Sequence, residues 1–101
     1  MGLEPRLTPR AEKDIEDIWI YTATEWSVHQ AENYLDELEA ALRRLCDQPL
    51  IARERTEVDP PVRLYPSGAH VILHRADQRY LGVIRILGAR QNWAALLARL
   101  D

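Results

Sequence analysis

The chain has 101 residues, nearly half of them apolar and 29% charged, with a formal net charge of -3. That length builds one domain, residues 1–101, able to bury a core without disulfides or a structural metal, and no apolar run approaches the roughly 20 residues that cross a membrane. A lone cysteine, Cys46, excludes an internal disulfide and a cysteine-based zinc site.

The charge is divided along the chain. Residues 1–60 hold 7 Lys or Arg against 14 Asp or Glu, and residues 61–101 hold 6 against 2, so the two parts carry -7 and +4. Such asymmetry implies either pairing between the parts or an electropositive face for an acidic partner. The opening MGLEPRLTPRAEKD has neither the basic-then-apolar pattern of a secretory leader nor the Ser or Thr that myristoylation requires. A soluble, cytoplasmic protein is expected.

Residues 3–7 alternate Leu3, Pro5 and Leu7 with Glu4 and Arg6, which suits a short strand that Pro5 confines to an edge. Thr8-Pro9 then predicts an N-cap and a first helical residue, with Glu12 and Asp14 near the positive helix end. Ala11, Ile15, Ile18, Trp19, Thr22 and Trp26 recur at helical spacing and mark one buried face. Ser27-x-x-Gln30 has the spacing of a capping box and starts a second helix. Val28, Ala31, Leu35, Leu38, Leu42 and Leu45 form its seam, Cys46 fills core space beside them, and Pro49 ends it. So short a connection folds the two helices into an antiparallel hairpin.

Residues 47–61, polar and punctuated by proline, read as a loop. Strands are predicted over 62–65, 69–75 and 80–87, the last two joined by the hairpin-length 76–79. Residues 92–100 close the chain as a short helix, with Trp93, Leu96, Leu97 and Leu100 on one side. The expected fold is α+β, in the order β-α-α-β-β-β with a C-terminal helix: a helical hairpin packed on a small antiparallel sheet.

Four scattered glycines supply no nucleotide-binding loop, so no cofactor is expected. His70 and His74 are four apart in a strand, roughly 13 Å, too far to share one metal ion. Alternation puts His70, Ile72 and His74 on one face, with Val71, Leu73 and Arg75 on the other. Each histidine either caps a strand end by hydrogen bonding or takes part in chemistry. Arg85 interrupts the apolar run VIRIL, and either pairs with a helix carboxylate or projects into a groove meant for a partner. Arg90, just beyond that strand, is free to reach a phosphate or an acidic peptide. Trp93 either packs the tail against the sheet or contacts a partner.

Trp-x-Tyr at 19–21, Gln-Ala-x-x-Tyr at 30–34, Ser-Gly-x-His at 67–70 and Arg-Ile-Leu at 85–87 carry a resemblance over nearly the whole chain. The sequence resembles the ParE toxins of the ParE/RelE superfamily. The resemblance implies a toxin of a bacterial toxin-antitoxin pair, neutralised by a ParD-like antitoxin, with DNA gyrase as target, trapped with cleaved DNA. It implies no sequence-specific DNA binding by this chain alone. Many family members follow the Arg-Ile-Leu triplet with His and then Arg-Met-Asp. Here Gly88, Ala89, Arg90, Gln91 and Asn92 follow, so the arginine is retained and the histidine is not.

The sister branch, the RelE-like toxins, cuts messenger RNA without metal, which needs a base, an acid and cations against the phosphorane charge. Where that branch has a cation three before the glycine, Tyr65 stands here; where it has a tyrosine six beyond the retained arginine, Leu96 stands here; and Lys13 is the only lysine. A non-enzymatic toxin that works by binding is therefore expected. The alternatives are a ribosome-dependent nuclease using Arg90, His70 and Tyr65, and an inert relative that binds only antitoxin. Arg63, Tyr65, His70, Arg75, Arg85, Arg90 and Trp93 are the candidate contacts to antitoxin or target.

Overall fold

The computed structural model describes residues 2–99. In chain order the elements are β1 (Glu4–Leu7), α1 (Pro9–Glu25), α2 (Val28–Asp47), β2 (Arg53–Arg55), β3 (Val62–Ser67), β4 (His70–Ala76), β5 (Tyr80–Gly88) and α3 (Trp93–Ala98). The strands form one sheet in the order β1-β5-β4-β3-β2. β1 runs parallel to β5 and every other pair is antiparallel, so the α+β architecture stands and the sheet is mixed. Leu100, expected on the apolar side of the last helix, lies outside the described residues. No described helix is long and apolar enough to cross a membrane.

β2 falls inside the segment expected to be a loop. Its sequence Arg-Glu-Arg carries no apolar alternation, and pairing with Val62, Arg63 and Leu64 makes it a strand. A three-residue charged strand is one way in which natural sheets end. The other edge is closed differently. Glu4 and Thr8 donate their N–H groups to Arg79 O and Val83 O on the β5 side, whereas Leu3 N–H is held by Cys46 O at 2.8 Å and Pro5 has no N–H to offer. The Arg6 guanidinium lies 3.8 Å from the centre of the Tyr80 ring, tying this edge strand to its neighbour.

Thr8 caps α1 as its sequence predicts, accepting from Ala11 N at 3.0 Å, and its hydroxyl also donates to Ile84 O at 2.7 Å. One side chain thus starts the helix and pins it to β5. Ser27 caps α2 by accepting from Gln30 N, and the serine's own N–H goes to Thr22 O rather than to the glutamine, so only half of the capping box is used. The hairpin buries Ala11, Ile18, Leu38, Ala41, Leu45 and Cys46 against Ile72, Leu81, Val83 and Ile86 of the sheet. Trp26 and Val28, expected on buried faces, are instead 69% and 54% exposed. They sit at the connection between the helices.

The opposite sheet face is covered as well. Val58, Val62, Leu73 and Leu97 form a second buried cluster, with Leu64 and Ile84 against it. The strands are thus sandwiched, which explains the near-continuous burial of residues 71–74. Between the faces, β5 carries a bulge: Leu73 pairs with Arg85 and His74 with Val83, leaving Ile84 as the extra residue. Val83 and Ile86, an odd number of positions apart, consequently both reach the hairpin-side core.

Candidate functional site

The motifs at 30–34 and 67–70 meet. Tyr34 on α2 places its hydroxyl 2.6 Å from His70 Nδ1 and 3.0 Å from Ala69 N, and the phenol and imidazole rings stand edge to face at 5.5 Å. Ala69 N–H donates to the phenol, the phenol can donate to Ser67 O at 3.3 Å, and the direction of its bond to His70 Nδ1 follows the imidazole tautomer. Gly68 makes room for this: its φ is +60°, and a Cβ there would fall 2.7 Å from the Tyr34 hydroxyl. Partial burial lowers the His70 pKa, against a smaller opposing pull from Asp14, and burial raises that of Tyr34. Whichever nitrogen carries the proton, His70 Nδ1 is committed to Tyr34 inside the fold.

Tyr65, on the same sheet face, accepts a hydrogen bond from Arg44 Nη1 at 3.0 Å. Arg63 donates to Ala52 O at 2.6 Å and lies 3.6 Å from Glu54. Arg75 binds Pro60 O and Pro61 O through Nη2 and Nε at 2.8 and 3.2 Å, clamping the connection before β3. These three side chains hold the fold together.

Arg85 takes the first of its two expected roles. Its Nε and Nη2 donate to both oxygens of Asp14 at 2.8 and 2.9 Å, and Asp14 Oδ2 also accepts from Ile86 N at 2.9 Å. Asp14 holds the guanidinium proton more tightly than usual, chiefly through these hydrogen bonds. Arg85 also lines a cleft of about 490 Å³, whose cationic lining is completed by Arg10 and Arg99 and whose apolar lining is Ile84, Leu87 and Leu96. Arg90 is exposed in the segment after β5, and Trp93 opens α3 half-buried. His74 is fully buried, its Nδ1 donating to Ile72 O at 2.9 Å and its Nε2 without a partner.

The seven sequence-derived candidates therefore do not converge. Tyr65 and His70 lie under α2, Arg75 reaches the opposite side, Arg85 borders the cleft, and Arg90 and Trp93 follow β5. Four residues that sequence reasoning did not single out as site residues organise these places: Asp14, Tyr34, Arg10 and Arg99. Asp14 was legible only as a helix-start carboxylate, Tyr34 only as part of a motif, and nothing in the sequence pairs Arg10 with Arg99. Among the described residues no group of three His, Cys, Asp or Glu is placed to hold a metal ion.

Fold and side chains together define a small α+β domain with an arginine-lined cleft and a tyrosine-locked hairpin. The family model described as the ParE toxin of the type II toxin-antitoxin system parDE matches residues 6–93. Toxin ParE1 of Caulobacter vibrioides is 34% identical over 92 residues, covering 91% of this chain and 95% of the relative. Toxin ParE1 of Mycobacterium tuberculosis is 36% identical over 87 residues, covering 85% and 89%. A solved structure described as the chromosomal ParDE TA system from P. aeruginosa superposes with a TM-score of 0.73 at 15% identity, covering 86% of this chain and 96% of that one. The chain belongs to the ParE toxin family of type II toxin-antitoxin systems.

Proposed function

We propose that this ParE-type toxin disables DNA gyrase by binding, holding the enzyme on cleaved DNA, without chemistry of its own. The family match supplies the class. The observation that supports the non-enzymatic reading is the Tyr34–His70 contact at 2.6 Å, which commits Nδ1 of the imidazole beside the β3–β4 turn to a bond inside the fold. Tyr65, the other group a rearranged nuclease site would use, is held by Arg44. Removing one such proton-transfer group commonly costs about a hundredfold or more in rate.

A ParD-like antitoxin is the second partner. The cleft lined by Arg10, Arg85 and Arg99 together with Ile84, Leu87 and Leu96 suits an acidic, amphipathic segment that folds as it binds. Of the candidate contacts, Arg85 lines this cleft while Asp14 holds its Nε and Nη2, Trp93 opens the helix that supplies Leu96, and Arg90 is exposed just before that helix; Arg63, Tyr65, His70 and Arg75 spend donors and acceptors elsewhere in the fold. A single cytoplasmic domain without cofactor suffices for both interactions.

The test is to add the purified protein to gyrase and supercoiled plasmid, and in parallel to a translating ribosome extract. Linear plasmid, suppressed by the cognate antitoxin, is the expected product. Cut messenger RNA with intact plasmid would overturn the proposal in favour of the nuclease reading.

A further inference from the structure

From Asp14 to Leu42, the 29 residues that make most of the helical hairpin, the sequence holds eight carboxylates and no lysine or arginine. Asp14 is neutralised by Arg85, Asp17 by Lys13 and Glu39 by Arg43. Among the described residues Glu16, Glu25, Glu32, Asp36 and Glu37 have no cationic partner within salt-bridge distance. On the same stretch stand four of the large apolar side chains that the fold leaves open: Ile20, Tyr21, Trp26 and Val28, exposed by 50 to 69%. All four lie within two turns of the α1–α2 connection, about 10 Å along the hairpin axis. Further down, Trp19 and Leu35 share a groove of about 590 Å³ with Glu32, Asp36 and Glu39.

Neither core needs these residues. Ala11, Ile18, Ala31 and Leu38 already pack the inner faces of the helices. Two exposed aromatics at a helix-hairpin tip have the chemistry of interface anchors, since Tyr and Trp supply most of the binding energy where they are buried by a partner. Glu25 and Glu32 beside them, with Glu16, Asp36 and Glu37 further along the same helices, select the partner's charge, because a neutral or acidic surface would leave these carboxylates desolvated or repelled. We infer that the tip of the α1–α2 hairpin docks on a positively charged protein surface, and that this is how the toxin engages its target. The inference rests on the target reading above and assigns to it a surface distinct from the arginine-lined cleft: the acidic hairpin faces the victim and the basic cleft faces the antitoxin.

The experiment is a titration of labelled protein with DNA gyrase holoenzyme at low and at physiological ionic strength. Wild type is expected to bind, more weakly as salt rises. Tyr21→Ala and Trp26→Ala should each weaken binding about tenfold or more, and the double change Glu25→Lys with Glu32→Lys should weaken it and flatten its salt dependence. Because these side chains are exposed, thermal melting of the variants should match wild type. Binding that is equal in the variants, or tighter with the lysines, would overturn the inference while leaving the target reading intact. Absence of binding by wild type would remove both.

Discussion

Tyr34 shows how a side chain in a recognisable motif can have its role inside the fold. Its hydroxyl gathers Ala69 N–H and His70 Nδ1 over a glycine that no other residue can replace without strain. Tyr34→Phe removes both hydrogen bonds and leaves His70 Nδ1 and Ala69 N–H without their partner, for an expected loss of about 1–3 kcal/mol. Gly68→Ala adds a left-handed backbone penalty to a clash with the ring, and a loss of about 2–4 kcal/mol should appear in denaturant unfolding. The sequence showed Ser-Gly-x-His and Gln-Ala-x-x-Tyr as two separate signatures. That they are one contact was not legible, because 33 positions separate Tyr34 from Ser67 and neither helical nor strand periodicity relates them.

At the scale of elements, the arginine inside the apolar run of β5 has its explanation in the bulge. One extra residue at Ile84 lets Arg85 reach across to α1 while Val83 and Ile86 stay in the hairpin-side core. Helix starts and stops were readable because caps are local: Thr8, Ser27 and Asn92 each accept from the backbone three residues on. β2 was not readable, since Arg53–Arg55 becomes a strand only through its neighbour. Asp14 is the element-level hinge of this arrangement, joining α1 to β5 by three hydrogen bonds. Asp14→Ala strands a half-buried guanidinium and the Ile86 N–H. It should lower unfolding free energy by about 2–4 kcal/mol, and Arg85→Met introduced with it should recover part of that loss.

For the molecule as a whole, His70 and His74 make stability depend on pH just below neutrality. His74 is fully buried and its pKa is depressed, mainly by desolvation and further by the Arg63 charge, while its bond to Ile72 opposes the change. His70 shifts the same way. Unfolded, both rings take up protons near the ordinary value of 6.5; folded, they resist until lower pH. The unfolded chain therefore binds more protons in that interval, and stability complete above about pH 6.5 is lost as the pH falls below it. Denaturation measured at pH 7.5 and 5.5 should show this decline, with a slope from His74 of at most about 1.4 kcal/mol per pH unit. His74→Leu should flatten it. The family and the architecture were legible from the sequence, whereas the placing of the candidate contacts was not, because their hydrogen bonds are nearly all tertiary.

Leu3 N–H ties the start of β1 to the end of α2, and together with the missing N–H of Pro5 it takes two donors off the outer edge of the sheet. That has an effect between molecules too. Newly made copies crowd one another on the same polysome before any partner arrives, and an open ladder of donors would let them stack side to side into insoluble ribbons. A terminal strand short of two of those donors is a poorer template for such stacking.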